Sequence, residues 1–262
     1  MISVPFPVSR IVVTCLAAGA CAAQAAPPRD PLPLVACPIV QDTPSVPCWI
    51  VETAGETYYL GIQSDVSAPF NPPSLGHKVL VEGAVKKDAP RICRGLVVEP
   101  VTVSIMPELS PECDQLRVVD PRYTLPFEPP RPPGPSTGQL AYTYAPPPPP
   151  PAPPYAPRTF VVPYEFDGMV NFKTPRVLAP VLDYAKLVKA RRIEISGYRG
   201  ATRLADGTIL AERPGIAQAR AEEIARMLRG AGLDAAQYGV TANAAPALGG
   251  PTNRRSVIRI IP

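Results

Sequence analysis

A proline-rich stretch divides this chain and limits what the rest of it can fold into. The chain contains 39 prolines, and residues 120–158 include the runs PPRPPGP and PPPPPPAPP. Because proline fixes φ and donates no backbone hydrogen bond, this stretch can be neither a helix nor an interior strand. We predict a polyproline linker between two folded units. It acts either as a spacer or, through Tyr142, Tyr144 and Tyr155, as a ligand for an aromatic groove.

The N-terminus has the pattern of an export signal. Arg10 precedes an apolar run of small residues, and Ala23-Gln24-Ala25 has the A-x-A form of a cleavage site. The apolar run is too short to cross a bilayer, which takes about 20 residues. We therefore predict that residues 1–25 are a cleaved signal peptide and that the protein is periplasmic, with outer-membrane association left open. The alternative is a lipoprotein acylated at Cys21.

Four cysteines follow the predicted signal peptide, namely Cys37, Cys48, Cys93 and Cys113. In an oxidising compartment this even number predicts two disulfides, and three pairings are compatible with the sequence. The spacings contain no C-x-x-C, and the chain has a single histidine, His77. We predict neither a metal site nor a cofactor.

Residues 34–119 have the pattern of a small β domain. A turn at Ala54-Gly55 separates two alternating runs and predicts a hairpin. Residues 75–85, LGHKVLVEGAV, alternate around a glycine that suggests a bulge or bend. A long strand is expected over residues 92–105, broken near Pro100. The architecture resembles a disulfide-bonded barrel of the OB type.

The last hundred residues alternate between strand and helix periodicity. The order is strand, helix, strand, helix, strand, strand, which predicts an α+β domain over residues 159–262, with a mixed sheet and helices on one face. Pro180 falls inside the first helical pattern, so that helix either kinks there or begins there. The predicted strands are Val161–Phe166, Arg192–Gly197, Gln237–Ala242 and Ser256–Ile261, and the helices begin at Thr174-Pro175 and at Pro214.

Three phrases in this region resemble the OmpA-like C-terminal domain, a family that associates with peptidoglycan. The first is Tyr164-Glu165-Phe166-Asp167, and the second is Ile193-Glu194-Ile195-Ser196-Gly197. The third pairs Arg220, within IAQARA, with Asn253-Arg254-Arg255. The resemblance covers residues 160–261, and the chain is identified as a divergent member.

The resemblance implies a site for the diaminopimelate residue of the wall peptide. In the family an aspartate holds the ammonium and an arginine holds the carboxylate. Arg220 matches that arginine, whereas Gly200 stands in place of the aspartate. The other residues that the resemblance places in the ligand site are Asp167, Tyr198, Asp206, Asn253 and Arg254.

The segment after Gly200 is longer than the family spacing. Its surplus, residues 204–210, contains Asp206-Gly207 and predicts a small hairpin. Asp206 and Glu212 are candidates to replace the missing carboxylate, and turn formation alone is the simpler interpretation of Asp206.

Charge and motif content narrow the function. The net charge of +4 comes without a dense run of Lys and Arg, so nucleic acid is not a predicted partner. No nucleophile–base pair or glycine-rich phosphate loop is recognisable, so no enzymatic activity is predicted. We predict a Gram-negative cell-envelope protein that associates with peptidoglycan and meets another envelope protein through its β domain or linker. The alternative is a periplasmic protein-interaction module of a secretion or envelope assembly that has lost peptidoglycan binding.

Overall fold

The computed structural model describes residues 32–53, 55–62, 74–125, 152–170 and 174–262. The predicted signal peptide, Cys21 and the centre of the predicted linker lie outside the described residues. The described chain is mostly β, with two helices. We call residues 32–125 the N-terminal unit and residues 152–262 the C-terminal unit.

The N-terminal unit is built on one curled, half-barrel sheet. Its strands are β1 Leu34–Ala36, β2 Pro38–Gln41, β3 Cys48–Thr53, β4 Glu56–Ile62, β5 His77–Val85, β6 Leu96–Leu109 and β7 Leu116–Arg117. Their order in the sheet is β1-β5-β6-β4-β3-β2-β7. Although β1 and β2 are separated only by Cys37, they pair with different strands, β5 and β3, so the sheet curls round to meet itself.

The long strand β6 differs from the prediction. It begins at Leu96 and runs through Pro100 without a break. The reason is the position opposite: the β5–β6 register shifts between Gly83 and Val85. A Cβ at Gly83 would lie 2.2 Å from the Pro100 carbonyl oxygen. The proline therefore falls at an irregularity where no ladder hydrogen bond is required of it.

Two disulfides are present, as predicted, and the structure selects their pairing. Cys37 is bonded to Cys113, and Cys48 to Cys93. Cys48 and Cys93 pack with Ile39 and Ile50 in a small core beside the main one. One disulfide therefore ties the junction of β1 and β2 to the loop after β6, and the other ties the start of β3 to the turn before β6.

The C-terminal unit contains a mixed sheet. Its elements are β8 Arg158–Pro163, α1 Thr174–Leu187, β9 Arg192–Arg203, β10 Ile209–Ala211, α2 Ile216–Leu228, β11 Gln237–Leu248 and β12 Arg255–Ile261, with helical turns at Arg229–Leu233 and Gly250–Asn253. Strand β12 lies antiparallel to both β8 and β9, while β11 lies parallel to β9 and β10 pairs with the end of β9. Strand β10 is the return strand of the predicted Asp-Gly hairpin.

Both helices cover the same face of this sheet. Alternate residues of β9 and β12 are fully buried and share one cluster with the helices. The opposite face carries Glu194, which pairs with Arg192 and Arg259 at the surface. Helix α1 begins at Thr174 and contains Pro180. The buried side chains that carry this packing are Ile193, Ile195, Ile258 and Ile260 from the strands and Val181, Ala185, Ile224 and Leu228 from the helices.

The ends of the predicted linker are part of the folded units. Tyr123 and Leu125 pack against the small core around Cys48. Tyr155 packs against the core of the C-terminal unit, and the Tyr184 hydroxyl donates to the Ala156 carbonyl at 2.5 Å. The stretch between the units is therefore shorter than residues 120–158.

Candidate functional site

Arg220, the residue that the resemblance assigns to a ligand carboxylate, is paired within the protein. Its Nη2 donates to Glu212 Oε1 at 2.6 Å, and its Nη1 donates to Glu212 Oε2 at 3.0 Å. Both side chains are fully buried. Helix α2 carries Arg220, and Glu212 lies just beyond the added hairpin. The two-pronged bond therefore joins the hairpin to the helix.

The remaining hydrogen-bonding capacity of this pair is also used. Glu212 accepts the backbone N–H groups of Asp167 at 2.9 Å and Gly200 at 2.7 Å. The Arg220 guanidinium lies 4.5 Å from the centre of the Tyr164 ring. Its other hydrogen bonds go to the carbonyls of Glu165, Gly168 and Tyr198. A buried ion pair is tolerated when its partners are saturated in this way.

Arg254 is paired in the same manner, but with the other unit. Its Nη1 and Nη2 donate to the two carboxylate oxygens of Glu82 in β5, at 2.7 and 2.6 Å. Thr202 accepts a further bond from Nη2 at 2.6 Å and donates to Glu82. Phe166 lies beneath the guanidinium, 5.2 Å from ring centre to Cζ. The Nε–H finds no partner among the described residues.

Gly200 lies between the two arginine pairs. Its N–H is bonded to Glu212, and a Cβ at this position would lie 2.7 Å from Arg254 Cγ. The resemblance would place a ligand aspartate at this position. Here Arg254 occupies the space that such a side chain would need.

Asp167 and Tyr198 are the other predicted residues that lie at this site. Asp167 has φ 51° and accepts the Arg213 N–H at 2.7 Å. Burial raises the pKa of the Asp167 carboxyl, opposed by the Arg213 N–H and reinforced by the charge of Glu212. The Arg255 guanidinium lies over the Tyr198 ring, with 4.7 Å between Arg255 Cζ and the ring centre.

Asp206 and Asn253 hold their own loops. Asp206 is exposed and accepts the Thr208 N–H at 2.8 Å, as turn chemistry predicts. Asn253 donates to the Leu248 carbonyl at 2.8 Å and accepts from Arg255 at 3.2 Å. No hydrogen bond links either side chain to Arg220 among the described residues.

The sequence interpretation missed Glu82 as a partner of this region. The sequence shows Glu82 directly after the apolar run Val79-Leu80-Val81, and in the structure all four residues are buried. A glutamate within a strand buried on both faces requires a cationic partner.

Within the described ranges, no cluster of three or more His, Cys, Asp or Glu side chains is arranged to hold a metal ion. In the part of the chain that the structure describes, no helix is long and apolar enough to cross a membrane. The site therefore consists of two arginines, each paired with a glutamate of the protein itself.

Comparison with family models, curated proteins and solved structures gives no match for this chain.

Proposed function

We propose that this chain is a non-enzymatic, exported envelope protein whose C-terminal unit is an OmpA-like domain with its ligand site filled by its own Glu212. It acts in the periplasm through contacts with other envelope proteins. The observation that carries the proposal is the bidentate bond from Arg220 to Glu212, with both side chains fully buried.

Residues of the phrase Tyr164-Glu165-Phe166-Asp167 meet Arg220 at this bond. Tyr164 contacts the Arg220 guanidinium, Glu165 offers its carbonyl, and Asp167 offers its N–H to Glu212. The order of elements and the mixed sheet agree with the predicted α+β domain. These features support the assignment of the family.

A wall carboxylate would have to displace Glu212 from Arg220. Breaking a buried ion pair costs about 3–5 kcal/mol when one partner is left uncompensated. The incoming carboxylate would recover one equivalent pair and would leave Glu212 buried without its cation. The internal pair therefore opposes binding at this position.

The N-terminal unit supports an OB-type barrel. If β1 and β2 count as one interrupted strand, the first four strands lie in the Greek-key order 4-1-2-3, with β6 between β4 and β5. The fold by itself names no ligand. Its two disulfides favour an oxidising compartment, which agrees with export to the periplasm.

Pull-down on isolated peptidoglycan sacculi tests the proposal. We expect wild type to sediment no more than Arg220→Lys, and Glu212→Gln to sediment more than either. Arg213→Ala, which changes a neighbouring exposed arginine, serves as the control. Far-ultraviolet circular dichroism must show that each variant is folded.

Peptidoglycan binding is the second candidate. The observation that favours it is the geometry at Arg220. Both of its Nη atoms already donate to the Glu212 carboxylate in the two-pronged arrangement that a ligand carboxylate would take. Sedimentation of wild type with sacculi, lost in Arg220→Lys and kept in Arg213→Ala, would replace the first proposal with this one.

A further inference from the structure

The two units meet along a polar seam. Each buried hydrophobic cluster of the described chain belongs to one unit: one lies wholly in the C-terminal unit and two lie wholly in the N-terminal unit. The described apolar clusters are therefore separate, and the buried side chains of Leu80 and Phe166 belong to none of them.

Directional polar contacts hold this seam. The Phe166 N–H donates to Ser104 Oγ at 2.9 Å, and the Ala205 N–H donates to the Pro33 carbonyl at 2.8 Å. The strongest contact is the buried fork from Arg254 to Glu82. Interfaces between domains that are polar rather than hydrophobic permit relative motion by default.

Two open clefts lie along the edge of the seam. One, of about 400 Å³, lies between Tyr58 of the N-terminal unit and Leu204 of the C-terminal unit. The other, of about 370 Å³, lies between Glu82 and Gly250. Pro33 lines both of them. Solvent therefore reaches the boundary between the units from both clefts.

We propose that the seam is a releasable latch, that the two units part and re-close as folded bodies, and that Glu82 is the residue that holds them closed. Glu82 suits this role because its carboxylate is the only N-terminal charge that reaches Arg254 among the described residues. Its partners Arg254 and Thr202 both belong to the C-terminal unit.

Opening would uncover a receptor for carboxylates. The Arg254 fork, the Thr202 hydroxyl and the Phe166 ring form one buried group that Glu82 covers in the closed state. A planar guanidinium backed by an aromatic ring and a hydroxyl suits a carboxylate-bearing ligand. The latch does not depend on whether Arg220 binds the cell wall.

Amide hydrogen exchange on the full, disulfide-bonded chain tests the latch. The N–H groups of Phe166 and Ala205 cross the seam, whereas those of Ile195 and Val81 lie in strands inside each unit. In wild type we expect the two seam amides to exchange faster than the two strand amides, through openings short of global unfolding.

Glu82→Gln should accelerate exchange of the two seam amides on the order of 30-fold or more, since it removes one charge of a buried hydrogen-bonded pair. The amides of Ile195 and Val81 should stay slower than the seam amides in both proteins, because their exchange requires a unit to unfold. Glu99→Gln is the matched control, because Glu99 is an exposed glutamate of the same unit that pairs with Lys86 at 2.7 Å. It should leave all four rates unchanged.

Two results would overturn the latch. One is exchange of all four amides at a common rate in wild type, which would mean that the chain opens only as a single cooperative body. The other is an unchanged seam rate in folded Glu82→Gln. If Glu82→Gln fails to fold, Thr202→Val weakens the same contact without uncovering a charge and should also accelerate exchange of the two seam amides.

Discussion

The Arg254 side chain passes directly over Gly200, so close that a Cβ on the glycine would lie 2.7 Å from Arg254 Cγ. A side chain at position 200 would therefore compete with Arg254 for the same space. The glycine leaves room for Arg254 to reach Glu82.

Gly200→Ala should destabilise the protein because the new methyl group meets Arg254 in a closely packed place. Overpacking of this kind costs about 1–3 kcal/mol. The matched control is Gly230→Ala, where an added Cβ has no neighbour within 4 Å. Urea unfolding gives both values, and equal stability of the two variants would contradict the contact.

Glu212→Gln should destabilise the C-terminal unit by about 3–5 kcal/mol, since it leaves Arg220 buried without a counter-charge. The control is Glu194→Gln, whose carboxylate pairs with Arg192 and Arg259 at the surface. Exposed pairs contribute at most about 1 kcal/mol. Guanidinium unfolding checks the difference, and a loss as small as that of the control would show that the pair is not buried.

Removal of either disulfide should destabilise the N-terminal unit. The bonded cysteines lie 76 and 45 positions apart. Loops of these lengths stabilise the native state by roughly 4 kcal/mol each through lost entropy of the unfolded chain. Trp49, the single tryptophan, is buried in this unit and reports its unfolding by fluorescence. Cys48→Ala with Cys93→Ala should shift that transition to lower urea, and an unshifted transition would contradict the expectation.

Asp167 should make stability depend on pH with a defined sign. Burial raises the pKa of its carboxyl in the folded state, with Arg213 and Arg220 opposing and Glu212 reinforcing the shift. A raised folded pKa means that the contribution is present below the unfolded pKa of about 3.9 and is lost as pH rises through the folded pKa.

Asp167→Asn should therefore be more stable than wild type at pH 7, and the difference should vanish in acid below that unfolded value. Asparagine keeps an oxygen for the Arg213 N–H, so the change is one of charge. Thermal unfolding between pH 3 and 7 measures it. A constant difference across this range would show that the carboxyl does not titrate as expected.

Local patterns predicted much of the architecture. The hairpin of β3 and β4, the start of α1 at Thr174 and the order of strands and helices after Arg158 follow from periodicity and caps. Pro100 does not end β6 but lies where the β5–β6 pairing is irregular, and the residue that accommodates it, Gly83, lies on the neighbouring strand. A prediction made from the residues of one strand does not take into account which residues of the neighbouring strand lie opposite its proline.

By itself, the sequence determined the order of strands and helices and the presence of two disulfides, because hydrophobic period, turn residues and cysteine number can be recognised without knowing which segments meet. Only the tertiary structure decided the disulfide pairing and what each arginine binds. Glu82 and Arg254 are 172 positions apart. A buried guanidinium takes whichever carboxylate the fold brings within hydrogen-bond reach, and that proximity is a property of the packed units.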